Sequence, residues 1–372
     1  MRKDSLKFMK DLCNAHGPSG FESEVTELMK SYVSKYADSV YNDKIGSLVF
    51  EKEGEEDSPV ILVPGHIDEV GFIVTGINDS GYLNFYELGG WFDQTLLSQR
   101  VWVLTRNGKL QGVIASVPPH VMEKDERNKV VTMDKMFIDV GAANLHEAKE
   151  MGVRVGDAVV PDSSFSLTRK SKFEDGKKVE ERDLAFGKAF DDRIGVFLAA
   201  ELMRELDQKR IKHPNKVVGA ATVQEEVGLR GAKTVANLVK PDVAIVLDVD
   251  ISGDVPGIKP EQAPAKMGDG VAITVYDRSM IPNQPLKELT IDICEQKKIP
   301  YQLSLVTGGG TDAGAIHISN VGCPSIVLGV PTRHIHSHVG VIDIKDVESN
   351  LKLLVELVKV LDKETVDGLV RV

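Results

Sequence analysis

The stretch PVILVPGHIDEVGF, residues 59–72, decides the fold class. Val60 to Val63 is an apolar run with no polar alternation, so a strand here is buried on both faces, as in a parallel sheet covered by helices. It ends in Gly65-His66-Ile67-Asp68-Glu69, which delivers an imidazole and two carboxylates at a strand's carboxyl end. Downstream the same texture recurs. VVGAATV (217–223), DVAIVLDV (242–249) and CPSIVLGV (323–330) read as strands, RIGVFLAAELMREL (193–206) as an amphipathic helix, and Val347–Leu361 as a closing helix. Strands alternating with helices predict an α/β fold, with a central mixed and mostly parallel sheet flanked by helices. Upstream, helical spacing from about Leu6 to Tyr36 is interrupted by HGPSG (16–20), which predicts two helices with a hinge, the second N-capped by Ser19 or Ser23.

Between residues 70 and 182 the texture changes. VGFIVTGI (70–77), GYLNFYEL (81–88), RVWVLT (100–105), LQGVIASV (110–117), FIDVGA (137–142) and DAVVPD (157–162) are short and strand-like, and NDSG (78–81) suits a hairpin turn. They predict an inserted small β-barrel. The charged stretch Lys170–Arg182 reads as the linker back. The expected units are therefore a discontinuous catalytic unit of residues 1–69 and 183–372 and an inserted unit of residues 70–182.

Lys and Arg total 45 against 56 Asp and Glu, a formal charge of −11. With a pI near 5.4 and no basic tract, nucleic acid is excluded as an expected partner. Cys13, Cys294 and Cys323 form no CxxC pair, which argues against a disulfide framework or a thiolate zinc site. The opening MRKDSLKFMKDLC lacks the apolar centre of a signal peptide, and no stretch approaches the ~18 apolar residues of a membrane span. A cytoplasmic protein with no membrane partner is expected.

Five segments place acids and histidines beside strand ends: His66, Asp68 and Glu69; Asp191 and Asp192; Glu225 and Glu226; Asp248 and Asp250; and His334, His336 and His338. Ligands of open α/β sheets bind in the crevice beyond the carboxyl ends of the strands. Carboxylates gathered there repel one another and raise one another's pKa unless cations compensate them. Each pair alone reads as a solvated face or a surface hydrogen bond; their joint occurrence at strand ends points to a pair of divalent cations. Mixed nitrogen and oxygen donors suit zinc, cobalt or manganese. Adjacent glutamates can divide the work, one as ligand and one as general base. GGGTDAG (308–314) lacks the Lys of a phosphate loop and reads as a turn into a helix capped by Thr311 or Asp312. Trp91 and Phe92 read as barrel core or a subunit contact.

The ordered set GHIDEVGF (65–72), AFDDRIG (189–195), VQEEVGLRGA (223–232), LDVDISGDVPG (247–257), GGGTDAGAIH (308–317) and PTRHIHSHVG (331–340) resembles peptidase family M42, the glutamyl or deblocking aminopeptidases, some of them labelled endoglucanase. The resemblance spans the chain from HGPSGFE (16–22) through GGWFDQTLLSQRV (89–101) to the closing helix. It implies a zinc-dependent exopeptidase-like fold and two divalent metal ions per subunit. Asp191 would bridge them, His66 and Asp248 would complete one site, and Glu226 and His336 the other. Glu225 would be the general base, Asp68 would orient His66, and the Asp191–Asp192 peptide would be cis. The implied activity is removal of N-terminal residues from small peptides by a homo-oligomer such as a dodecamer, with the insertion making subunit contacts and controlling access. The alternatives are a glycoside hydrolase using paired carboxylates and a metal-binding relative without catalysis.

Overall fold

The computed structural model describes residues 1–370 apart from residue 126. Its main sheet has eleven strands among the described residues. The parallel centre runs Lys216–Thr222, Val60–His66, Val243–Ile251, Ser325–Arg333. Antiparallel strands extend it on both sides, Leu48–Lys52 and Ser39–Asn42 on one, Gly340–Asp343 and Lys177–Gly187 on the other. The apolar run is buried on both faces from Ile61 to Val63, with Val60 partly buried at its start. Ile61 and Val63 pack into one cluster with the helices Lys3–Asn14, Ser23–Val33, Phe190–Gln208 and Ile344–Val360, while Leu62 faces a second cluster under the helices Arg230–Val239 and Ala313–Ile316. Each such side chain contributes roughly 1.5–3 kcal/mol by leaving water.

The insertion forms a closed six-stranded barrel from Gly71–Ile77 to Ala158–Pro161. Phe72, Val74, Leu83, Val101, Val103, Ile114, Ile138 and Val159 fill it. Asn78–Gly81 makes the expected turn, with the Asn78 side chain accepting from the Ser80 and Tyr82 amides.

Three local readings need correction. Lys170–Arg182 is not a linker: Ser166–Glu174 and Lys177–Gly187 form a hairpin that continues the main sheet. Its strands are dense in charges that pair across it, as Arg169 does with Asp183 at 2.8 Å, and such runs of charge mask the strand period of a solvent-facing hairpin. Residues 193–206 are not amphipathic, since every residue from Asp192 to Leu206 is buried between the sheet and the neighbouring helices. Its charges survive by pairing inside: Arg204 meets the Ser5 and Tyr32 hydroxyls at 3.0 Å. The second helix is preceded by Glu22, and neither Ser19 nor Ser23 caps it. Ser19 donates instead to Asp68, at 2.6 Å.

A buried ion cluster joins these parts. The Glu69 carboxylate accepts from Lys188 Nζ at 2.6 and 2.7 Å, from Arg193 at 3.3 Å and from the Gly17 amide at 3.2 Å. Lys188 also donates to Ala15 O, and Arg193 to the carbonyls of Leu12, Gly17 and Ile67. Burial opposes the charged form of Glu69, but Lys188 and Arg193 outweigh it and hold the carboxyl below its ordinary range. Lys188→Met should therefore lower stability by about 3–5 kcal/mol, because a carboxylate without its closest cation stays buried. A thermal melt of that variant coinciding with the unaltered protein would refute this.

Candidate functional site

The parallel strands bring their carboxyl ends together. His66 is the last residue of Val60–His66 and pairs in register with Thr222, beyond which the chain turns through Gln224 to Glu225 and Glu226. Asp248 lies on the next strand, opposite Gly329, and the strand ending at Arg333 leads to residues 334–338. Asp191 and Asp192 stand at the non-helical start of the buried helix Phe190–Gln208, joined by a cis peptide bond, as the resemblance implied.

The two aspartates face opposite ways. Asp191 points into the cleft, with Oδ1 3.1 Å from His66 Nε2 and Oδ2 3.2 Å from His336 Nε2. Asp192 Oδ2 accepts from the His66 amide at 3.1 Å and Oδ1 from the Gly195 amide at 2.8 Å. It clamps the strand end to the helix. Gly195 is required there, since a Cβ would lie 2.2 Å from Asp192 Oδ2.

Asp68 holds the opposite wall. Its carboxylate accepts from the Glu225 amide at 3.0 Å, the Glu226 amide at 3.1 Å and the Ser19 hydroxyl at 2.6 Å. The His66 ring meets Asp68 chiefly through the backbone, with Nδ1 3.1 Å from Asp68 O and 3.5 Å from Oδ1. A donor at Nδ1 leaves the Nε2 lone pair facing the cleft. Glu225 Oε2 stands 3.8 Å from His66 Nε2, and Glu226 Oε1 lies 3.4 Å from His336 Nε2 with no hydrogen-bond partner.

Of the three clustered histidines, His336 alone reaches this centre. His338 is packed on the Trp91 ring at 5.3 Å with both nitrogens unpaired, and burial pushes its pKa down to about 4, so it stays neutral. Glu69 belongs to the ion cluster below the site. Asp250 is buried beside Ser304, its carboxyl pushed up to about 7 by that burial. Asp312 accepts from the Thr222 hydroxyl at 2.5 Å, and neither it nor Thr311 caps the short helix that follows. Lys188, Arg193 and Gly90 were not singled out in the sequence, and Ser19 only as an N-cap, because each acts through contacts distant in the chain.

The electrostatics are those of acids crowded without a compensating charge. Burial, then repulsion from Asp312, Glu226 and Asp248, raises Glu225 well above the ordinary carboxylate range. Burial and Asp191 raise Asp248 likewise, and burial with Asp191 lifts Glu226 to about 8. Burial opposes charge on His336, but Asp191 and Glu226 outweigh it and raise it to about 10. Protons thus stand where positive charge is needed. Three overlapping donor groups have ligand atoms within 4.8 Å of one another: His66, Asp192 and Asp248; Asp191, Glu226 and His336; His66, Glu225 and Glu226. The unpaired Glu226 oxygen and the two Nε2 atoms facing Asp191 fit divalent cations.

The model of the M42 glutamyl aminopeptidase family matches residues 46–353. The chain belongs to the M42 family. It is therefore an enzyme of an aminopeptidase family, a hydrolase. A TET aminopeptidase from Thaumarchaeota archaeon SCGC AB-539-E09 has a structure that superposes with a TM-score of 0.93 at 55% identity, over 98% of this chain and 99% of its own. The TET1 peptidase of Pyrococcus horikoshii, which assembles into a tetrahedron or a large octahedral shell, is 32% identical with a TM-score of 0.81, over 96% of this chain and all of its own. A lysyl aminopeptidase of Pyrococcus furiosus is 31% identical over 96% of this chain and 98% of its own length. The two superposed structures share the two-part architecture of sheet and inserted barrel.

The shifted groups give the metal-free M42 centre a pH signature. Glu226 at about 8 and His336 at about 10 both stand above unfolded values of about 4.3 and 6.5. Each contributes stability that is complete below its unfolded value and lost as pH rises through the folded one. Asp191 is shifted downward, so it acts only at the acid end. The melting temperature of chelator-treated protein should fall as pH rises from about 7 to about 10, and Glu226→Gln should remove part of that slope. A pH-independent melting temperature over this window would contradict the arrangement.

Proposed function

We propose that the protein is a two-metal aminopeptidase that releases N-terminal residues from small peptides. The observation that carries this reading is the Asp191 carboxylate, which offers one oxygen toward His66 and the other toward His336. That is the placement of a bridging ligand. His66 and Asp248 would hold one ion with Asp191, and Glu226 and His336 the other. Zinc or cobalt suit these donors best, with manganese acceptable. When bound, the ions supply Lewis acidity toward the peptide carbonyl and acidify water.

The chain's own groups do the rest. Glu225 is the general base: it takes the proton of the water whose oxygen attacks the carbonyl carbon, and returns it to the amine nitrogen as the C–N bond breaks. The products are a free amino acid and a peptide shortened by one residue. Asp68 fixes the Glu225–Glu226 backbone by accepting hydrogen bonds from both amides and so positions the base. Asp192 and the Glu69 cluster hold the backbone beneath. We further propose a cytoplasmic homo-oligomer like the tetrahedral shell of the P. horikoshii relative, with the inserted unit contributing subunit contacts and limiting access to unfolded peptides.

A panel of glutamyl, lysyl and aliphatic aminoacyl substrates with an N-blocked control tests the activity. Chelation should abolish turnover, and cobalt, zinc or manganese should restore it. Hydrolysis of a glucan that survives chelation would instead favour the glycosidase reading. Glu225→Gln should keep full metal content while kcat falls by about 10²–10⁴-fold. Unimpaired turnover in that variant would move the base elsewhere.

A further inference from the structure

Most groups around the two proposed metal positions come from the main sheet and its helices. One does not. The His336 ring is oriented by the barrel: Nδ1 lies 2.8 Å from the carbonyl oxygen of Gly90, in the loop that follows the barrel strand Leu83–Leu88. His336 has a left-handed backbone, with φ of 52°, in a half-exposed loop, so little local structure fixes its ring. An imidazole that donates from Nδ1 presents a bare Nε2, which here faces Asp191 and Glu226.

The loop is seated closely. A Cβ at Gly90 would lie 3.2 Å from His336 Nδ1, and one at Gly89, whose φ is +82°, would lie 2.7 Å from a Val70 methyl and 3.0 Å from Glu226 Oε2. Paired glycines are what allow this backbone to approach both side chains. The next residue anchors the loop in the barrel. Trp91 stacks on Phe72 with ring centroids 4.8 Å apart, donates Nε1–H to Gly71 O at 3.1 Å, and packs its other side toward His338. Phe72 belongs to the barrel core and Gly71 to its first strand. Rigid contacts therefore run from the barrel interior through Trp91 and Gly90 to His336.

We propose that Gly90 is a positioning residue through which the inserted barrel sets the tautomer and direction of His336, and thereby the affinity of the metal position that His336 shares with Glu226. The proposal rests on the two-metal reading. It adds that the barrel builds part of the metal centre as well as lying beside it.

The test is metal titration of the full-length protein by calorimetry, using zinc alone. The unaltered protein should bind two ions per chain; if it binds none, the two-metal reading fails before this one is reached. Gly90→Ala should bind one ion as the unaltered protein does and the other about 10–100-fold more weakly, with an unchanged melting temperature in the metal-free state. Trp91→Phe, which keeps a stacked ring and loses the bond to Gly71, should weaken the same ion to a smaller degree. A measurement without any substitution is ¹⁵N NMR of the zinc-loaded protein, in which His336 should appear as the Nδ1–H tautomer. Two ions bound by both variants with undiminished affinity, or an Nε2–H tautomer at His336, would overturn the proposal.

Discussion

Glu69, Lys188 and Arg193 lie fully inside the protein, and the candidate cleft is built on their pairing. Charged groups in such surroundings are tolerated only when each is compensated and hydrogen-bonded. Meeting that condition draws three distant segments together: the loop after the first helix, the end of the strand Val60–His66, and the turn that carries Asp191 and Asp192. Release of one partner would leave a bare charge in the core. The floor of the site is consequently fixed before any cation or substrate is considered.

On that floor two carboxylates hold the walls through backbone amides. Asp192 binds the amides of His66 and Gly195, and Asp68 those of Glu225 and Glu226. This leaves Asp191, Glu225, Glu226 and Asp248 crowded around His66 and His336, most of them raised in pKa by burial and mutual repulsion. A centre of this kind is stable either with protons taken up or with cations bound. Its donor set fits cations, with two imidazole nitrogens converging on the two oxygens of a single carboxylate.

Much of this was legible along the chain. Apolar runs at 60–63, 243–247 and 326–328 announced buried parallel strands, and the acids and histidines just beyond them announced a crevice site. The barrel was visible as short alternating segments. The hairpin of residues 166–187 was hidden because a solvent-facing pair of strands with runs of charged residues has the composition of a linker. The inward charges of residues 193–206 were read as a polar face, although Glu201 and Arg204 are compensated by Ser5 and Tyr32 from other helices and Glu205 by Arg2.

The sequence by itself determined the class of the fold, the strand ends at which chemistry collects, and the residue types gathered there. These follow from local periodicity and composition, which do not depend on what a segment packs against. The family resemblance had named Asp191, His336 and Glu225, but what sets each apart from its neighbours only the tertiary structure decided: Asp191 in the cleft and Asp192 beneath it, His336 at the centre and His338 buried against Trp91, Glu69 with buried cations and Glu225 facing His66. Adjacent side chains leave the backbone in different directions, and which of them meets the cleft is set by turns such as those at Ala189, Gln224 and His336 and by contacts with segments far away in the chain. The Gly90 carbonyl on His336 is the extreme case, since it joins two parts of the fold separated by 246 positions.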